Sequence, residues 1–365
     1  MMKCMMNDFN QNLPMIRALC DAFGPSGFEE EVLDVIRRFG EGLGRFEEDR
    51  LRNLYLYRKE NRPGRPVLML DAHTDELGFM VRDLLPDGTL RVVTLGGWDR
   101  FALPSSRVTL RNERGDHIPG IMASKPYMYM DAAQRSQGPL GNDQLALDVG
   151  SLCAEQTAGD FGIQVGDPAA PEAHFSYDEV HGLFHGKAFD CRLGCAALLE
   201  TLRRLEGEEL PFNIVAVFTS QEEVGTRGVK AAVERVNPQI AFCFEGPPAD
   251  DTMGFMPRPQ TALGKGPMLR FMDGSVICSP RYMRYVLRLA QDRGIPVQTN
   301  VRTIGANDGG VIHTACGGVP VVVAGIPVRY NHTCNNLARM DDYEATVALA
   351  AAVIRSLTEQ DLQNF

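Results

Sequence analysis

The sequence lacks any run of about 18 apolar residues, so it offers no membrane-spanning helix. Its first residues (Met1, Met2, Lys3, Cys4, Met5, Met6, Asn7, Asp8) turn polar too early to build the apolar segment of a secretory signal. Basic residues are in deficit. The 37 Lys and Arg against 47 Asp and Glu leave a net charge of -10 and a pI near 5.3. The acidic residues are spread along the chain, which argues against nucleic acid or an anionic membrane as the main partner. The nine cysteines include no Cys-x-x-Cys pair, and their number is odd. Several sit in apolar runs, as Cys243 does in Ile-Ala-Phe-Cys-Phe. This excludes a disulfide framework and a paired redox motif, and predicts reduced thiols in a cytoplasmic protein. Internal repeats and low-complexity tracts are also lacking.

What is present fits a globular chain. Of 365 residues, 44% are hydrophobic and 23% charged, which allows one large or two ordinary domains and a core that needs no covalent staples. Helices are predicted over 13–22 and 28–39. Ser26 and Glu29 have the spacing of a capping box, and Phe28, Val32, Ile36 and Phe39 recur at helical spacing. Four apolar runs read as strands: Val67–Asp71, Ile214–Thr219, Ile240–Phe244 and Val319–Ile326. Helices are predicted at Leu193–Leu205, between Ser279-Pro280 and Gly294, and from Tyr343 to Leu357. Strands alternating with helices predict an α/β fold with a mixed or parallel sheet covered on both faces. Residues 80–180 differ. Short alternating segments (Val108, Leu110; Ile118, Ile121) among Gly, Pro and Asp turns predict an inserted β-rich domain. The main domain then comprises 1–79 plus 181–365.

Open α/β sheets bind ligands beyond the carboxyl ends of their strands. There the chain places metal-capable side chains. The first strand runs into Asp71, His73 and Asp75, the second into Glu222 and Glu223, the third into Glu245, and the fourth towards His332. Asp190 stands just before the helix that begins near Leu193. Each has a plain structural reading: a hydrogen-bonded His, a solvated Glu pair, a helix-capping Asp. Glu245 is harder to read that way, because an unpaired carboxylate ending an apolar strand is costly to bury. Together, two imidazoles and several carboxylates at one sheet edge suit zinc, cobalt or manganese better than calcium or a thiolate-loving metal.

At these residues the sequence strongly resembles the glutamyl aminopeptidase/TET family of dinuclear metallo-aminopeptidases. The matching segments are Leu-Asp-Ala-His-Thr-Asp-Glu-Leu-Gly (70–78), Gly-Gly-Trp-Asp (96–99), Gly-Lys-Ala-Phe-Asp-Cys-Arg-Leu-Gly (186–194) and Ser-Gln-Glu-Glu-Val-Gly (220–225). Leu-Gly-Lys-Gly-Pro (263–267), Asn-Asp-Gly-Gly-Val-Ile-His (307–313) and Arg-Tyr-Asn-His (329–332) follow in the family's order. The resemblance implies a zinc-peptidase-like fold and removal of the N-terminal residue from short peptides. It implies two divalent ions per subunit, zinc or cobalt with manganese also accommodated. His73, Asp190 and Glu245 would hold one ion. Asp190, Glu223 and His332 would hold the other, with Asp190 bridging. Glu222 would be the general base, and Asp75 would orient His73. It also implies a homo-oligomer, dimers formed through the inserted domain and assembled into a dodecamer.

Three positions depart from the family pattern. Cys191 and Glu245 each stand where Asp is usual, and Asn307 stands where Thr is common. The Asp190–Cys191 peptide bond is expected to be cis, and Cys191 is a candidate adventitious ligand. Two other classes compete. A glucanase-like glycoside hydrolase needs two carboxyl groups but gives no reason for His73 and His332. An inactive metal-binding scaffold gives no reason for Glu222.

Overall fold

The computed structural model describes residues 12–136, 138, 140–254 and 257–365. The expectation for the first eight residues, Cys4 among them, lies outside these. Helix α1 (Leu13–Asp21) buries Met15, Ile16, Leu19 and Cys20. Helix α2 (Glu30–Phe39) buries Val32, Leu33 and Ile36, with Glu30 and Glu31 in its first turn and Arg37 and Arg38 in its last, as the helix dipole favours. The expected capping box does not form. The helix begins at Glu30, so Ser26 lies too far upstream to cap it, and its hydroxyl donates instead to Asp75 at 2.6 Å.

Strands β1 (Gly44–Glu48), β2 (Leu54–Arg58) and β3 (Val67–His73) follow. The chain then leaves the main sheet. Strands β4 (Gly78–Leu84), β5 (Leu90–Leu95), β6 (Arg107–Arg111), β7 (His117–Ser124), β8 (Leu145–Asp148) and β9 (Pro168–Pro171) close into a barrel in the order β4-β5-β8-β7-β6-β9. The barrel has its own core, including Phe79, Val92, Val108, Leu110, Met122 and Leu147. Strand β7 corrects one detail of the sequence reading. Its period of two buries Ile118, Gly120 and Met122 and leaves Ile121 exposed.

The chain returns through β10 (Ser176–Asp178) and β11 (Leu183–Gly186), then helix α3 (Phe189–Arg204). Asp190 and Cys191 at its start are not helical, so the regular helix begins close to the predicted Leu193. Next come β12 (Asn213–Thr219), α4 (Arg227–Val236), β13 (Ile240–Glu245), β14 (Met268–Met272), α5 (Pro280–Arg293) and β15 (Gln298–Val301). Then follow α6 (Asp308–Ile312), β16 (Val321–Gly325), β17 (Asn336–Arg339) and α7 (Met340–Ser356). Helix α7 starts earlier than the expected Tyr343, and β16 is shorter than the apolar run that announced it.

The main sheet is mixed, in the order β1-β2-β12-β3-β13-β16-β14-β15. Its central strands β12, β3, β13 and β16 are parallel, while β2 and β14 run against their neighbours β12 and β16. Every residue of β13 and β16 is buried, as expected of strands covered on both faces. Helix α3 packs on β3 and β13, α4 on β12, and α6 on β3, β13 and β16. Each fully buried Val, Leu or Phe of this core contributes about 1.5–3 kcal/mol. Among the described residues no helix is long and apolar enough to cross a membrane.

Candidate metal centre and active site

Sheet register lines up the site. Thr219 pairs with His73, Cys243 with Asp71, and Glu245 with Gly325. The carboxyl ends of four parallel strands therefore finish in one row. Alternation along β3 puts Asp71 and His73 on the same side. The loop after β12 carries Glu222 and Glu223, the non-helical start of α3 carries Asp190, and the loop after β16 carries His332. The structure brings all of these together. The donor atoms of His73, Asp190, Cys191 and Glu245 lie within 4.8 Å of one another, and so do those of Asp190, Glu223 and His332. His73, Glu222 and Glu223 form a third such group.

Asp190 lies between the two imidazoles. His73 Nε2 is 3.0 Å from its Oδ1, and His332 Nε2 is 3.7 Å from its Oδ2. His332 Nε2 is also 3.6 Å from Glu223. Both rings are held by their other nitrogen. His73 Nδ1 donates to the Asp75 carbonyl at 3.2 Å, and His332 Nδ1 donates to the Gly97 carbonyl at 2.7 Å. Carbonyls only accept, so each Nδ1 keeps its proton, and Nε2, the nitrogen turned to Asp190, is the one free to meet a cation once its own proton leaves.

The surrounding backbone is shaped for this. The Asp190–Cys191 peptide bond is cis, as expected. Gly246 lies so close that an added Cβ would fall 2.5 Å from Asp190 Cα. At Gly96, with φ +86°, it would fall 2.2 Å from Leu77. Ala188, Gln221, Tyr330 and His332 all adopt positive φ, the sparsely populated region in which strained site residues cluster.

Electrostatics set the charges. Burial opposes a positive His73, but its bonds to Asp190 and Asp75 outweigh that and raise its pKa. Burial likewise opposes a charged His332, yet Glu223 and Asp190 carry it up to about 9. Burial works against an ionised Asp190, and the two imidazoles overcome it and hold its pKa low. Burial raises Glu222 and Glu245, and pushes Glu223 up to about 7 against the pull of His332. Without a cation these three carboxyl groups therefore tend to keep their protons, and a positive charge placed among them favours their ionised form.

Several supporting residues gave no signal of their own in the sequence. Asn331 donates to Asp190 Oδ2 at 2.8 Å and to the Gly246 carbonyl at 2.9 Å, fixing the carboxylate. Asp75 does more than orient a ring. Besides facing His73, it accepts the backbone N–H of Glu222 at 2.9 Å and of Glu223 at 3.1 Å. Glu29, assigned to a helix cap from the sequence, is fully buried and accepts the N–H of Gly27 at 2.8 Å and of Gln221 at 3.1 Å. Burial and the nearby Asp75 push it up to about 8. Lys187 pairs with Glu76 at 2.6 Å, and the fully buried Arg192 donates to the carbonyls of Thr74, Leu19 and Gly24, pinning the turn after His73. Only the motifs Gly-Lys-Ala-Phe-Asp and Arg-Tyr-Asn-His pointed towards Lys187 and Asn331.

The sequence pattern of the M42 glutamyl aminopeptidase family matches residues 53–349. The chain belongs to that family. A glutamyl aminopeptidase of Lactococcus lactis subsp. cremoris (strain MG1363) is 33% identical over 347 residues, covering 94% of this chain and 96% of its own. The crystal structure of a TET aminopeptidase from the marine sediment archaeon Thaumarchaeota archaeon SCGC AB-539-E09 superposes with a TM-score of 0.93 at 32% identity, covering 98% of this chain and 99% of its own. The Pyrococcus horikoshii TET1 peptidase, which can assemble into a tetrahedron or a large octahedral shell, superposes with a TM-score of 0.83 at 26% identity, covering 95% and 100%. The M42 chain is therefore an aminopeptidase, a hydrolase of peptide bonds, and the family implies divalent metal. The residues present fit that requirement. Glu245 Oε1 is buried without a hydrogen-bond partner, and the donor set mixes imidazole nitrogen with carboxylate oxygen.

Proposed function

We propose that this M42 aminopeptidase binds two divalent ions per subunit and releases the N-terminal residue of short peptides. His73, Asp190 and Glu245 hold one ion. Asp190, Glu223 and His332 hold the other, with Asp190 shared. The observation that carries this reading is the position of Asp190, one oxygen facing each Nε2. Zinc or cobalt suits the donors best, and manganese is accommodated.

Bound there, such ions supply Lewis-acid polarisation of the scissile carbonyl and of the attacking water. Glu222 is the general base. It takes the water's proton and returns it to the leaving amine. Asp75 sets its aim by holding the Glu222 N–H, and it orients His73 by the same contact network. The gathered carboxyl groups suit cations and a substrate with a free α-amine, whose positive charge draws these groups into their ionised form.

The chain is read as a homo-oligomer in the cytoplasm. The inserted β-rich domain, residues 80–180, mediates dimer contacts, and dimers build a dodecamer. The shell-forming Pyrococcus horikoshii relative supports a closed assembly of this kind.

The test is metal removal. Chelator-treated protein is inactive on a panel of aminoacyl chromogenic substrates and short peptides, and zinc, cobalt or manganese restores release. No metal-dependent release across the panel overturns the reading, and chelator-resistant hydrolysis of glucan oligomers replaces it. Light scattering after size exclusion measures the assembly, and a monomer refutes it.

A further inference from the structure

Cys191 is fully buried and its Sγ belongs to the donor cluster of His73, Asp190 and Glu245. We propose that Cys191 is itself a metal ligand, a thiolate that completes a His-Asp-Cys-Glu set at one ion position and biases that position towards zinc or cobalt over manganese. This rests on the two-ion reading above and adds to it a sulfur donor.

Three observations carry it. First, the four donor atoms already lie within 4.8 Å of one another. A tetrahedral ion with ligand distances of about 2.0–2.3 Å needs donors roughly 3.3–3.8 Å apart, so small side-chain adjustments close the set. Second, Glu245 Oε1 in the same cluster is buried and has no partner. A buried orphan acceptor beside a thiol and a carboxylate is accounted for by a cation between them. Third, Cys191 differs from its neighbours. Cys195 donates to the His73 carbonyl at 3.1 Å and Cys243 to Asp71 at 3.2 Å, and among the described residues neither belongs to a donor cluster. They behave as small buried hydrophobes with a weak donor. Cys191 makes a similar weak bond, to the Phe244 carbonyl at 3.2 Å, but it alone of the three also faces the ligands.

Ligation needs no oxidant. The metal–sulfur bond forms as the S–H bond breaks, and the proton leaves to water. Sulfur is the softer donor, and thiolate favours zinc and cobalt over manganese.

Cobalt-loaded protein tests this directly. The expected result is visible ligand-field absorption from bound cobalt together with a near-ultraviolet thiolate-to-cobalt charge-transfer band. Cys191→Ser abolishes the near-ultraviolet band, whereas Cys195→Ser and Cys243→Ser retain it. Removing an outer-shell partner weakens metal binding about 10- to 100-fold, so loss of this ligand lowers zinc affinity at least that much while manganese affinity changes less. Visible absorption without the charge-transfer band overturns the Cys191 assignment and leaves the two-ion reading standing. Failure to bind cobalt at all overturns both. If the serine variant does not fold, X-ray absorption on the zinc-loaded native protein still decides, because a zinc shell without sulfur refutes the proposal.

Discussion

The two ends of the central sheet handle charge in opposite ways. Beyond the amino ends of its central strands Lys59 reaches Glu206, and along the outer strand β1 Arg45 and Arg235 contact Glu47, all partly or largely exposed. Arg45, Lys59 and Arg235 border a groove of about 740 Å³ that Arg62 also lines. Each of these three paired cations has a carboxylate beside it and water around it. At the carboxyl ends, the same sheet delivers His73, Glu222, Glu223 and Glu245 into a crowded interior. There the carboxyl groups outnumber the imidazoles, and His73, Asp75, Glu223 and Glu245 are buried or nearly so. Exposed pairs are screened and worth little. Buried, unbalanced charge is expensive and persists only where something outside the chain completes it. The contrast locates function more sharply than the number of charges at either end.

Four measurements would break or sharpen this contrast. The largest effect is expected from Glu222→Gln. It should lower kcat by about 10²–10⁴-fold, the usual share of a general base, while metal content by elemental analysis stays unchanged. Full activity in that variant would remove the base.

The pH dependence of metal-free protein comes next. Glu29 stands at about 8 and Asp308 at about 7 in the folded chain, both raised by burial. Unfolded, they ionise at 4.5 and 3.8. Between those values the unfolded chain gives up protons that the native one keeps. Their stabilising contribution is therefore complete at low pH and disappears as pH rises through about 7–8. Thermal unfolding after chelation should show Tm falling from about pH 5 to about pH 9. With zinc present the slope should flatten or reverse, because rising pH frees metal donors. A metal-free Tm that climbs over this range would contradict the assigned charges.

A smaller effect is expected at Glu29. Glu29→Ala removes the acceptor of the Gly27 and Gln221 N–H groups, and because Gly27 is exposed and Gln221 half-buried the expected cost is about 0.5–1.5 kcal/mol. Gln221 has φ +55° and leads directly into Glu222, so kcat should fall more than KM rises. Glu29→Gln, which keeps an acceptor oxygen, should restore most of kcat. Equal loss in both variants would mean that Glu29 only fills space. The smallest effect belongs to the exposed outer strand of the sheet. Glu47→Ala should cost under about 1 kcal/mol in denaturant unfolding and leave kcat/KM unchanged.

The parts of this site that were legible in sequence are those tied to a local pattern. His73, Glu222 and Glu245 follow apolar strands, and strand period together with parallel order sends them to one edge. The Ser26–Glu29 pair shows how a local pattern misleads. Its spacing is that of a helix cap, but the helix starts at Glu30, so Ser26 turns to Asp75 and Glu29 to the loop before Glu222. Asn331 and the Gly97 carbonyl were silent as individual residues, because their partners lie far along the chain: Gly97 is 235 residues from His332.

The sequence by itself determined an α/β chain with an inserted β-rich segment, the strand ends that carry metal-capable side chains, and the residue types available to bind metal. These follow from periodicity and composition, which act over a few residues. Tertiary structure decided how close Asp190 stands to each imidazole, that Cys191 Sγ joins the donor cluster while Cys195 and Cys243 do not, and that Glu29 holds the loop leading to Glu222. Such relations depend on sheet register and on the direction of a side chain in a closed interior, and no spacing along one strand encodes them.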